Sequence, residues 1–250
     1  MSIASLTAVH TKYNLLETLR VPIAVIGTVV FPALALLFFV VPNRTVAENP
    51  AYATQAIISM AVFAVMVNGL FSFGLAIAEN REKPWDPYLR TLPAPGIVRV
   101  LAHIFSTGAL GLVALLPIVL IGGMLTSAQA SAWRVLAGLV AVAVAALPFM
   151  LIGMAIGFSM TQKAAIAVIQ VVMFGLAFAG GLFLPPIMFA DWLDRISMFF
   201  PSRQARELVI WAVQGGELPW WAWVGIVVWT ALFLALTLLL FRRDEGRRFR

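Results

Sequence analysis

Few side chains in this sequence could do covalent chemistry, and their spacing excludes most of what they could do. There is no cysteine, which removes disulfides, thiolate metal sites and cysteine nucleophiles together. The two histidines, His10 and His103, are too few for a histidine-rich metal site. His103 and Ser159 are expected near the same end of their helices and could approach each other, but no third group to orient such a pair is visible. Neither an H-E-x-x-H helix nor a G-x-x-x-x-G-K-[ST] phosphate loop occurs, so zinc proteolysis and self-contained ATP binding of that kind are not encoded. Asn68 and Gln170 are the strongest polar side chains inside long apolar runs. They are candidates for a substrate path, or for plain hydrogen bonds between helices. No catalytic residue, metal or cofactor is expected in this chain.

The elements that must hold these residues follow from composition. Of 250 residues 62% are hydrophobic and 11% charged, where a soluble domain averages ~45–50% and ~25%. A soluble fold of this size could not bury so much apolar surface, whereas a bilayer accepts it as solvent. The expectation is an all-α integral membrane fold with six transmembrane helices, at 21–41, 54–78, 100–125, 133–158, 164–184 and 220–241. Each is near the ~20 apolar residues of a crossing. None carries a charge at its centre, which argues against an ion-coupled carrier. No signal-peptide pattern opens the sequence, so the first apolar run is expected to remain as a helix. Before it, Ile3, Leu6, Val9, Tyr13, Leu16 and Leu19 recur every three or four residues. Residues 1–20 therefore read as an amphipathic interfacial helix.

Net charge is +6. The arginines flank spans, so this charge reports topology and no nucleic-acid partner is expected. Twelve Lys and Arg fall on the side holding both chain ends, the 79–99 loop and Lys163; five (Arg44, Arg134, Arg195, Arg203, Arg206) fall on the other. Both termini are thus expected in the cytoplasm, in a bacterial inner membrane, with an even number of spans. Residues 185–219 form the long external segment. Pro185-Pro186 should break the fifth span. The apolar stretch beyond is too short to cross, which predicts two short re-entrant helices. A further helix is expected at about 202–213, with Ser202 as its N-cap. Gly153-x-x-x-Gly157 allows close helix approach, within one subunit or at a dimer seam.

The long cytoplasmic loop reads Glu79-Asn80-Arg81-Glu82-Lys83-Pro84-Trp85-Asp86-Pro87-Tyr88-Leu89-Arg90-Thr91-Leu92-Pro93. Asp86 is suited to an N-cap and Pro87 to the first helical position. Tyr88, Leu89 and Leu92 would then be apolar anchors on a short helix lying across the membrane surface. A charged loop anchored by Trp85 and Tyr88 is the plainer alternative.

These residues resemble the permease subunits of type-2 ATP-binding-cassette exporters of the drug and antibiotic kind. In that family an acidic–basic stretch after span two runs into an acidic residue and Leu-x-x-Leu-Pro. Glu79, Arg81, Glu82, Trp85, Asp86, Leu89, Thr91, Leu92 and Pro93 match, while Pro84 stands where glycine is usual. The resemblance implies a cytoplasmic coupling helix seated on a separate nucleotide-binding subunit, which binds ATP and Mg. Glu82, Trp85, Asp86, Tyr88, Leu89, Arg90 and Leu92 are its implied contacts. It also implies pairing with a second permease, identical or a sister, and outward movement of a drug, antibiotic or lipid-like solute. A membrane enzyme would need a clustered polar site that these residues do not assemble. A scaffold or immunity protein would need no ATPase partner.

Overall fold

A computed structural model describes residues 3–20, 30–82 and 96–248, together with the side chains of these segments apart from 96, 97, 99, 100 and 245–248. Helix is the regular secondary structure of the described residues, with no strand among them. In chain order the helices are α1 (Ile3–Leu19), α2 (Phe31–Val40), α3 (Arg44–Ala47), α4 (Pro50–Glu82), α5 (Gly96–Leu125), α6 (Ala132–Ser159), α7 (Gln162–Ala179), α8 (Asp191–Ser197), α9 (Pro201–Gln214) and α10 (Trp220–Arg248). Among the described residues, five segments are long and apolar enough to cross a membrane: α4, Leu101–Leu125 of α5, α6, α7 and Trp220–Asp244 of α10. Of the first predicted span, α2 is the described part; residues 21–29 lie outside the described residues.

The helix α4 is the axis of the fold. Asn49 caps it, its Oδ1 accepting from the N–H groups of Ala51 and Tyr52 at 3.0 and 3.2 Å, and Pro50 occupies the first turn. Every residue from Ile58 to Leu70 is buried, as expected of a helix that is apolar all round. It runs 33 residues, longer than the predicted 54–78 span, and contains one π turn at Gly69–Phe73. The surrounding helices leave outward faces of Leu112, Leu116, Leu120, Val227, Leu232 and Leu239 exposed, the surface a hydrocarbon solvent requires.

Helices α4 and α6 meet backbone to backbone. A Cβ at Gly153 would lie 2.7 Å from Gly69 O and 2.8 Å from Leu70 O, and one at Gly157 would lie 2.5 Å from Gly74 O. The Gly153-x-x-x-Gly157 pattern is therefore packing within one chain. Its neighbours are main-chain atoms, which cannot swing aside. Gly153→Ala is expected to destabilise the fold by about 1–3 kcal/mol, read as a lower unfolding midpoint in detergent; an unchanged midpoint would contradict the close packing.

Three local expectations need correction. The fifth span ends at Ala179, not Leu184, because Gly181 takes the left-handed conformation (φ +75°) and the Leu182 N–H closes back to Ala177 O at 2.9 Å. The two prolines act five residues later, opening the 3-10 turn Pro186–Met188. Ser202 is not an N-cap: α9 starts at Pro201 after Phe200, and the Ser202 hydroxyl donates to Leu176 O at 2.7 Å, near the end of α7. The two short helices expected at 185–200 are a 3-10 turn and the seven-residue α8, with Asp191 and Asp194 in its first turn.

The helix α1 forms as expected, but it packs through its polar face. Thr7 is buried against α5, while Ile3, Val9, Tyr13, Leu16 and Leu19 are exposed. The hydroxyls of Thr7, Thr11 and Thr18 donate to the carbonyls four residues earlier at 2.8–2.9 Å. Their polar atoms are thereby satisfied within the helix, which leaves the methyl groups to make contact.

Candidate functional site

Two polar clusters lie at opposite ends of α4. At its C-terminal end, Arg81 and Glu82 are the last described residues before the loop. Arg81 Nε donates to Asp244 Oδ1 of α10 at 2.9 Å, and Nη1 donates to Gly157 O and Met160 O at 2.9 and 3.2 Å. Those carbonyls close α6, where a helix dipole favours a cation. The neighbouring Glu82 does the reverse: its Oε1 accepts from the Gln162 N–H at 2.9 Å, at the first turn of α7. One dipeptide thus complements the end of one helix and the start of the next. Trp85, Asp86, Tyr88, Leu89, Arg90 and Leu92, the other residues expected to couple to a partner, lie outside the described residues.

Midway along α4, Asn68 opens the π turn. Its Nδ2 donates to Thr107 O of α5 at 3.0 Å, and its Oδ1 accepts from the Ser72 hydroxyl at 2.9 Å. His103 Nε2 lies 3.3 Å from Ser72 O, so this nitrogen carries the hydrogen, and the ring stands edge-on to Phe73. Asn68 is buried and bridges two helices. Gln170 lies on the exposed face of α7, beside Val171 and near Phe174, and the two amides share no hydrogen bond. Ser159 and His103 do not form a pair, since the Ser159 hydroxyl donates to Ala155 O at 2.6 Å. Among the described residues, no group of three His, Asp or Glu could hold a metal ion.

The second cluster was not foreseen from sequence. Arg206 of α9 is buried; its Nε donates to Ser59 Oγ at 2.9 Å, Nη2 to Gln55 Oε1 at 3.3 Å and Nη1 to Glu207 Oε1 at 2.8 Å. Arg203 lies 3.3 Å from Glu207 and 3.6 Å from Asp194. Gln55 extends the chain to Gln214, whose Nε2 reaches Ala51 O at 2.9 Å. Burial pulls the Arg206 guanidinium below its usual pKa, the Glu207 carboxylate opposes this, and the Arg203 charge adds to the depression. Burial acts likewise on Arg203, against Glu207 and Asp194. Starting so high, both remain cationic. The signal was present: Ser202, Ala205, Val209 and Ala212 form a small-residue face at helical spacing, and Arg206 lies on it.

The described residues thus form a helical bundle around an axial helix, with a charged anchor at Arg81 and Glu82 where the 83–95 segment begins. Residues 6–214 match the family described as ABC-2 type transporter. The chain is 24% identical over 231 residues to a Bacillus subtilis (strain 168) protein named "Putative transport permease YvfS", covering 92% of this chain and 94% of that one. The family match takes in α1, the axial helix, residues 83–95 and α9, and the chain belongs to the ABC-2 type transporter family as a permease.

Proposed function

We propose that this permease is the membrane subunit of an exporter, driven by a separate subunit that binds ATP and Mg and moving an amphipathic or lipid-like solute outward. The observation that carries the reading is the anchored root of the 83–95 loop. A partner pressing on that loop would push on Arg81 and Glu82, and through them on α6, α7 and α10. The Trp85–Leu92 segment is the coupling helix in this reading, with Asp86 as its N-cap, Tyr88, Leu89 and Leu92 filling a groove of the partner, and Glu82 and Arg90 as rim charges. The permease itself has no ATPase site; the assembled complex is the ATP-hydrolysing translocase. Two permeases, identical or sister chains, complete the path. The exposed Gln170 amide supports this, because an amide facing hydrocarbon is costly and a second permease or the solute would satisfy it. The test is reconstitution of the permease with its nucleotide-binding subunit in vesicles. ATP-dependent export of a lipid-like probe supports the reading; ATP-independent flux, or no complex with such a subunit, sinks it.

The same reading places both termini in the cytoplasm and residues 185–219 outside, in the inner membrane, with the short helices re-entering from outside. Because the sequence has no cysteine, one cysteine at a time reports sidedness. Ile187→Cys, an exposed position, is expected to react with an impermeant maleimide from outside intact cells. A cysteine at position 250 is expected to react only after lysis. Equal reactivity of the two would overturn the six-span topology.

A further inference from the structure

We propose that Arg81 and Asp244 are positioning residues for energy coupling, through which motion of the loop enters the α6–α7 turn and the last helix as well as α4. This rests on the coupling role proposed above and adds residues remote from the partner contact.

The argument is one of connectivity. A loop joined only to its own two helices would move α4 and α5. Here its root makes four polar contacts to three other helices: Arg81 to Asp244, Gly157 and Met160, and Glu82 to Gln162. Asp244 is buried and the Arg81 side chain is three-quarters covered. Screening by water is therefore weak, and hydrogen bonds to charged groups are the stronger kind. The guanidinium is planar and carries its donors in a fixed fork, so one group holds a carboxylate and two carbonyls in a set relative geometry. A lysine would keep the charge but lose that geometry. Directly behind the anchor, Gly74 and Gly157 lock α4 to α6 at backbone distance. A displacement at Arg81 is thus passed to α6 by packing and to α10 by the ion pair. Coupling through elements held this way is typically worth ~5–150-fold in an equilibrium.

The experiment uses the full-length permease with Ile187→Cys, co-reconstituted with its nucleotide-binding subunit. The rate of maleimide labelling at position 187 is measured with and without ATP plus vanadate. Arg81→Gln and Asp244→Asn are each expected to shrink the ATP-dependent change in labelling by about tenfold, while the nucleotide-binding subunit still co-purifies in wild-type amount. The double variant is expected to be no worse than Arg81→Gln alone, since Asp244→Asn removes a link that Arg81→Gln already removes. Asp244→Glu, which can keep the ion pair, should retain most of the response, and this guards against simple misfolding. Three results would overturn the proposal. Full ATP responses in both variants would show that the link carries nothing. Loss of the co-purified subunit would make Arg81 part of the docking surface. Additive losses in the double variant would mean that the two residues act separately. If the unsubstituted complex shows no ATP response at all, the coupling reading itself fails, which is a different outcome from failure of the variants alone.

Discussion

Replacing Arg206 with alanine is expected to destabilise the permease by about 3–5 kcal/mol, the cost of breaking a buried charged network from one side. The side chain is buried and touches three partners, Ser59, Gln55 and Glu207. Removing it leaves Glu207 facing only Arg203, and leaves the Gln55 carbonyl oxygen without its donor. For a chain of this size that loss corresponds to an unfolding midpoint lower by about 6–20 °C, measured on detergent-solubilised protein. The pair itself is a separate question. Arg206→Met combined with Glu207→Gln removes both charges of this pair but leaves Arg203 with Asp194 alone, so only part of the stability should return. Less than ~1 kcal/mol lost in Arg206→Ala, the range of an exposed pair, would show that water reaches the network.

Tyr88→Ala with Leu89→Ala is expected to weaken binding of the nucleotide-binding subunit at least about 100-fold, because two anchors of roughly 2 kcal/mol each are removed. Folding should survive, since the membrane-spanning segments are left unchanged. Glu82→Gln is expected to change binding by less than about threefold. Its side-chain carbonyl can still accept from the Gln162 N–H, and rim charges tune association rate more than affinity. Co-purification of the two subunits reads the first effect, and binding of a lipid-like probe to the isolated permease is the control. Normal subunit binding with lost probe binding would make the loop a substrate site and end its coupling role.

Five of the six expected spans correspond to long apolar helices, because hydropathy is local: twenty apolar residues announce a crossing whatever surrounds them. Helix ends were less so. Pro185 was an obvious breaker, yet Gly180-Gly181 stops α7 earlier, and only the left-handed turn at Gly181 reveals which signal wins. Ser202 had the chemistry of a cap, but Leu176 O, 26 residues back in the chain, was a better placed partner. Charge counting put Arg203 and Arg206 in an external loop. It could not see that their helix is enclosed by α4, α6 and α10. On α1 most of the residues read as an apolar face turn outward, and self-bonded threonines make the packing surface instead. Of the residues expected to couple to a partner, Glu82 alone is described, and it binds the chain's own α7. Its neighbour Arg81, matched only as part of a charged stretch, makes the wider set of contacts.

The π turn at Gly69–Phe73 sets the phase of the whole axial helix. A π turn holds one residue more than the α-helix it replaces, and each residue of an α-helix advances the side-chain direction by about 100°. Upstream of the turn, Gln55 and Ser59 aim at Arg206; downstream, Gly74 aims at Gly157 and Arg81 at Asp244. Both sets meet their partners only with that extra residue in place. A sequence one residue shorter here would present the same side chains in the same order, yet no single rotation of the helix could satisfy both ends. Relatives of this chain should therefore tolerate changes of residue type within the turn far more readily than a change in its length.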